Sequence, residues 1–429
     1  MNRREILTGA GALAMTSCTQ MPAAAADPFA GHKLMTDVDA YVGFGGHRTG
    51  SQGDLATSDW FAKYWSGLGY TIEQTDVTCP NADTHVAKLR IGDQAFEGFA
   101  QPPLTFTPEG GLNAPLAWWH PEKPADVSGR IAIVYIERSA NGASPSAAYR
   151  DAFQKCAAAG ALGVVAIVSG PSGEVVAINT PVRMTLGIPV LQVGEKERQR
   201  LEAGLSSKLS GKLIIEGPGG VRTGRNTMAR SGDAGPWVII STPQSGWFTC
   251  GGERGPGIAM SRALSAWAKA TRYPVRWLFV ATSGHEWVDH GAEIFHKTQA
   301  PGPANTALWF HLGASFGARA YDETPTGLVA KSTPNLVRSL MATPDLAPIC
   351  EAAFAGQPVI DQPLPAKLAT ALGEYRLVLE EGYAPSAGFW GGNAHFHTPI
   401  DGASSTTPDI MEPIARAIAQ VIDKRLARL

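Results

Sequence analysis

The stretch VRWLFVATSGHEWVDHGAEIFHK, residues 275–297, opens with an apolar run broken only by Arg276. A nearly all-apolar run of that length reads as a central strand of a sheet covered on both faces. The chain then turns through Thr282, Ser283 and Gly284, and the pattern predicts a helix carrying His285, Glu286 and His290. In open α/β sheets, ligands and catalytic groups sit beyond the carboxyl ends of such strands, and His285 and Glu286 fall at that end. A plain capping role is also open to them, since Ser283 is a good N-cap and Glu286 would then stand at N3. The functional reading is preferred, because a His-Glu pair at a strand end is where an α/β enzyme keeps its chemistry.

The pattern recurs on either side. Residues 237–241, Trp-Val-Ile-Ile-Ser, form another core strand, followed by Thr242, Pro243 and Gln244. The glycine-rich loop 250–257 contains Glu253 and opens a helix over residues 258–270. Such a loop can cradle an anion at the helix N-terminus, but its glycine spacing fits no dinucleotide or P-loop fingerprint. Residues 307–313 are an apolar strand ending in His311, and a lone histidine there is usually a satisfied structural residue. Residues 391–401 are a loop carrying His395 and His397, and the last helix presents Ile414, Ile418, Val421 and Ile422 to the core. Towards the N-terminus, the glycine-rich loop 41–51 leads into a helix over about residues 55–68, which Gly69 ends at a C-cap position. His47 and Arg48 in that loop read as structural.

Residues 104–218 have a different texture. Strands at 129–136, 163–169, 188–193 and 213–215 alternate with helices at 146–159 and 195–203, and Gly217-Pro-Gly-Gly marks the exit. No cluster of His, Asp or Glu lies at the strand ends, so the segment reads as a lid or recognition unit rather than a site. Its segments GRIAIVYI, AAAGALGVVAI and GIPVLQV, in that order, resemble the protease-associated domain.

With 429 residues and 44% apolar content, the chain is long enough for two domains. A formal charge of -2 and the lack of any basic run exclude nucleic acid and anionic membrane surfaces as expected partners. Residues 1–26 read as an export signal, with Arg3-Arg4 before a short apolar run pointing to the twin-arginine route. Two processing sites compete: a lipoprotein-like box at Cys18 and a small-residue cleavage site at 23–26. Export permits disulfides, and Cys79, Cys156, Cys250 and Cys350 allow three full pairings or four free buried thiols.

Taken together, these landmarks resemble the exported co-catalytic zinc aminopeptidase and carboxypeptidase family, with glutaminyl cyclase and the transferrin receptor among its relatives. The resemblance rests on Arg48 to Ser51, the inserted segment, the glycine-rich loop into a helix, the strand running into Ser283-Gly-His-Glu286, and Phe396 to Asp401. It implies a mixed, mostly parallel α/β sheet with helices on both faces. Residues 27–103 and 219–429 would build that domain, and residues 104–218 a smaller inserted one.

Laid residue by residue onto this chain, the family's metal site is changed. The first ligand pair, His-x-Asp, falls on Thr242-Pro243-Gln244, and the bridging Asp falls on or beside Glu253. The Glu-Glu pair falls on His285-Glu286, the next strand's Asp on His311, and the last histidine on His397. The resemblance therefore implies one zinc held by Glu286, His311 and His397, with His285 at the base position and Glu253 as the other candidate base. It implies a periplasmic or cell-surface metallohydrolase acting on a peptide or small amide. The alternatives are a non-catalytic binding or scaffolding relative and, further behind, an acyl-transfer or cyclisation enzyme.

Overall fold

The computed structural model describes residues 27–138, 146–206 and 210–429. The expected leader, with Arg3, Arg4 and Cys18, lies outside the described residues. The apolar run of the quoted stretch becomes the strand Arg276–Thr282, flanked by Val221–Ser231 and Trp237–Pro243 inside an eight-stranded sheet. Arg276–Thr282, Trp237–Pro243, Thr306–His311 and Ser386–Gly391 run parallel to one another. Antiparallel strands complete both sides, Thr71–Pro80 with Val221–Ser231 on one and Arg338–Ala342 on the other.

Successive residues of the central strand feed opposite faces. Phe279 packs into one apolar cluster with helices Gly31–Gly43, Gln52–Gly67, Gly255–Ala270 and Pro408–Leu426. Its neighbours Leu278 and Val280 pack into another with Phe295 and Tyr375. All three strand residues are fully buried, and each such side chain contributes about 1.5–3 kcal/mol. Burial on both faces explains why the strand reads as a continuous apolar run, and the result is the mixed α/β sheet that the sequence predicts. Among the described residues no helix is long and apolar enough to cross a membrane.

Beyond Thr282 the structure departs from the sequence reading. The expected continuous helix is broken into a single 3-10 turn, His285–Trp287, and an α-helix, His290–Thr298. Between them Val288 (φ 53°) and Asp289 (φ 62°) are both left-handed, a conformation uncommon for residues other than glycine. The expected capping box does not form, because Ser283 Oγ donates to Asp54 and the Glu286 carboxylate is taken elsewhere. The helix packs close to the strand end: a Cβ on Gly291 would stand 1.9 Å from the Ser283 carbonyl oxygen, so that position needs glycine.

A second eight-stranded sheet is built from residues between 86 and 216. It begins earlier than the expected 104, since Val86–Ile91, Gln94–Glu97 and Phe99–Ala100 all pair into it. Helix Ser146–Ala158 covers one face through Tyr149, Phe153 and Cys156, and Leu201 from Arg198–Ser206 covers the other. Cys79, Ala82, Ala177, Trp247 and Trp287 form an apolar cluster that joins this unit to the main sheet. All four described cysteines are free and buried.

Candidate active site at the carboxyl edge of the main sheet

The side chains singled out from the sequence separate into a buried rear layer and a cavity-facing front. In the rear, Glu286 Oε1 accepts from the Thr49 N–H and Oγ1, both at 2.6 Å, and Oε2 accepts from Ser245 Oγ at 2.7 Å. Glu253 is fully buried, with Oε1 lying 2.7 Å from Arg254 Nη2 and 3.2 Å from His397 Nε2. Burial alone would raise its pKa, but Arg254 and then His397 outweigh it and hold the carboxyl at about 2. An anion held that firmly is no general base at neutral pH. Asp401 anchors the same loop by accepting from the Gly252 and Glu253 N–H groups at 2.9 and 3.0 Å. Thr242 and Gln244 are both engaged through their donor groups, while Gln244 Oε1 has no partner among the described residues. Thr242 Oγ1 donates to the Leu312 carbonyl at 3.0 Å, and Gln244 Nε2 donates to Asp54 Oδ1 and Ser58 Oγ at 2.9 and 2.6 Å. His47 is buried against Tyr41, and Arg48 pairs with Asp83, so both are structural.

The front opens on a cavity of about 640 Å³. His285, His311 and His397 all line it, together with Asp289 and Glu374, whereas Glu253 and Glu286 do not. His285 comes from the 3-10 turn and His311 from the end of Thr306–His311. His397 sits in a left-handed loop position (φ 58°) and donates from Nδ1 to the Ala177 carbonyl of the second unit at 2.9 Å. Glu374 immediately precedes helix Tyr375–Glu380, and its two oxygens lie 2.9 and 2.8 Å from the donating Thr282 Oγ1.

His285 Nδ1 lies 3.1 Å from Asp289 Oδ1 and 3.2 Å from Glu374 Oε1. Burial and the Arg254 charge push its pKa down, but the two carboxylates outweigh both and raise it to about 9. The ring is therefore an imidazolium at neutral pH. Holding a proton between two carboxylates disfavours the base role expected of His285. His311 behaves oppositely: burial first, and then the His285 charge, push it down to about 3. Its Nδ1 is tied to Ser241 Oγ at 2.9 Å.

The donor atoms of His285, Asp289 and Glu374 lie within 4.8 Å of one another, the sole such group of three found among the described residues. One imidazole and two carboxylates suit a single divalent ion such as zinc, which would replace the proton on His285. The expected trio is not brought together in this way. Of the three, His311 and His397 line the cavity, while Glu286 turns into the rear layer against Thr49 and Ser245. Asp289 and Glu374 were missed from the sequence. Asp289 did carry a signal, standing four residues after His285, but Glu374 is an isolated acid that only the folded chain brings near.

No family model and no curated protein matches the chain. Solved structures do match. The zinc aminopeptidase BSAP from Bacillus subtilis shares 14% identity, with 93% of this chain and 95% of that one covered and a TM-score of 0.72. The peptidase M28 precursor from Shewanella amazonensis shares 17% identity, covering 92% and 96%, with a TM-score of 0.70. The aminopeptidase from Aneurinibacillus sp. strain AM-1 shares 16%, covering 92% and 93%, with a TM-score of 0.62. Over nearly its whole length, the chain has the fold of these peptidases.

Proposed function

We propose that the protein is an exported hydrolase of peptide or related amide bonds that works with one divalent metal, zinc. The observation that carries this reading is the convergence of His285, Asp289 and Glu374 on the cavity wall, at the carboxyl edge of a zinc-aminopeptidase fold. When bound, a zinc ion supplies Lewis acidity and a nucleophile at neutral pH. The remaining tasks fall to the chain itself. Thr282 fixes the Glu374 carboxylate, and Ser241 fixes the neutral His311 ring on the same wall. The second unit covers the cavity, reaching it through Val176 and Asn179, and so limits the access of bulk water.

The test is elemental analysis of the purified protein, followed by amine release from a panel of aminoacyl and dipeptide substrates. Near-stoichiometric metal is expected in the wild type and in Glu286→Gln, and loss of metal in Asp289→Asn and Glu374→Gln. Metal kept in Asp289→Asn but lost in Glu286→Gln and His397→Ala would return the site to Glu286, His311 and His397. A wild type that binds none, even with zinc supplied, sinks the hydrolase. It would leave the second reading, a non-catalytic binding protein, which the closed bonding of Glu286 and the presence of Thr242 and Gln244 at the first ligand-pair positions favour.

A further inference from the structure

Most charged side chains on the cavity wall have a partner. Arg376 pairs with Glu380 at 2.6 Å, Glu323 with Arg138, and Asp289 and Glu374 with His285. Arg150 differs. It stands on helix Ser146–Ala158 of the second unit and lines the cavity, and Nη1 donates to the Asn179 carbonyl at 2.8 Å. Among the described residues no carboxylate lies within ion-pair distance of it, and none of residues 139–145 is acidic. Burial lowers its pKa with no anion to offset the effect. A guanidinium offers five N–H donors in a planar fork, and a half-buried one with a single protein bond is poised for a planar anion.

The rest of the wall indicates what that anion is attached to. Val176, Leu328, Val337, Leu372, Phe389 and Trp390 give the cavity aliphatic and aromatic sides, and its volume falls in the range of small-molecule sites. Asp289, Glu374 and Glu323 share the wall, so a doubly charged head group would meet about twice the repulsion that a single negative charge meets. Taking the cavity as the functional site proposed above, we infer that its ligand has an apolar body and one carboxylate, and that Arg150 reads the carboxylate. Arg150 is then a specificity residue contributed by the second unit to a site whose chemistry belongs to the main sheet.

The experiment compares binding of N-octanoylglycine with that of its uncharged amide, N-octanoylglycinamide, by calorimetry on chelator-treated protein, so that neither metal nor turnover contributes. The wild type is expected to prefer the acid by about tenfold or more, the value of a charge-assisted bond over its neutral counterpart. Arg150→Gln keeps an N–H for the Asn179 carbonyl and should lose that preference while binding the amide as before. Arg150→Lys should restore part of the preference. Equal affinities in the wild type, a preference that survives in Arg150→Gln, or no binding of either probe would overturn the inference. Because no turnover is measured, an inactive, metal-free protein that still prefers the acid refutes the hydrolase and leaves this assignment standing.

Discussion

On the cavity wall His285 meets Asp289 and Glu374, while the next residue, Glu286, turns into the rear layer and is closed off by Thr49 and Ser245. Glu253 and Glu374 differ in the same way. The first is locked beside Arg254 behind the cavity, and the second stands on the wall. Side chains of one type, residues apart or adjacent, are thus committed to structure in one layer and left able to exchange partners in the other. What separates the layers is access to the cavity, which Asp289 and Glu374 line and Glu253 and Glu286 do not.

The contrast breaks most visibly at Glu286. Glu286→Ala removes a buried acceptor from three donors and should cost about 3–5 kcal/mol, measured by urea unfolding of the variant and wild type. A loss under about 1 kcal/mol would mean that the rear layer is not the structural one.

The two layers also differ in their response to pH. Rear-layer His47 is buried against Tyr41, and burial drives its pKa from 6.5 to about 3. Its folded-state pKa is depressed below the unfolded value, so its stability contribution is fully present above pH 6.5 and is lost as the pH falls towards 3. Between pH 6.5 and 5 that amounts to about 2 kcal/mol, and His47→Phe, which keeps a ring on Tyr41, should lose that much less than the wild type over the same interval. Parallel curves for the two proteins would remove His47 from the account. The smallest effect is expected where the second unit touches the antiparallel pair Arg319–Thr324 and Gly327–Pro334. Arg138 and Glu323 pair there at the partly exposed surface, and Glu323→Gln should change stability by about 0.5 kcal/mol or less. A larger loss would show that this contact, and not the cluster around Trp247 and Trp287, holds the two units together.

The main sheet was legible because its central strands are buried on both faces and therefore run apolar without interruption, as in residues 237–241 and 275–281. The cavity-facing histidines were legible for a related reason, since each stands at or just beyond a strand end. The break at Val288 and Asp289 was not, because neither residue prefers a left-handed backbone and tertiary contacts impose it. The front and rear assignment was equally hidden: the donors that close Glu286 come from Thr49 and Ser245, far apart in the chain. The early strands of the second sheet, Val86–Ile91 and Gln94–Glu97, are short and half-exposed and stand out little from a loop.

The ladder between Thr71–Pro80 and Val221–Ser231 has a consequence for how the chain folds. It pairs Thr71 with Arg230 at one end and Pro80 with Val221 at the other, so residues 81–220 leave and return at adjacent positions of one ribbon. Zipping that ribbon closes a long loop, and the entropic cost grows only slowly, as the logarithm of loop length. If the second sheet has already collapsed, its ends are close before the ribbon forms, and the effective loop is shorter still. The order of folding that costs least therefore runs from the middle of the chain outwards, with the second unit acting as a preformed clasp that brings residues 27–80 and 221–429 into register.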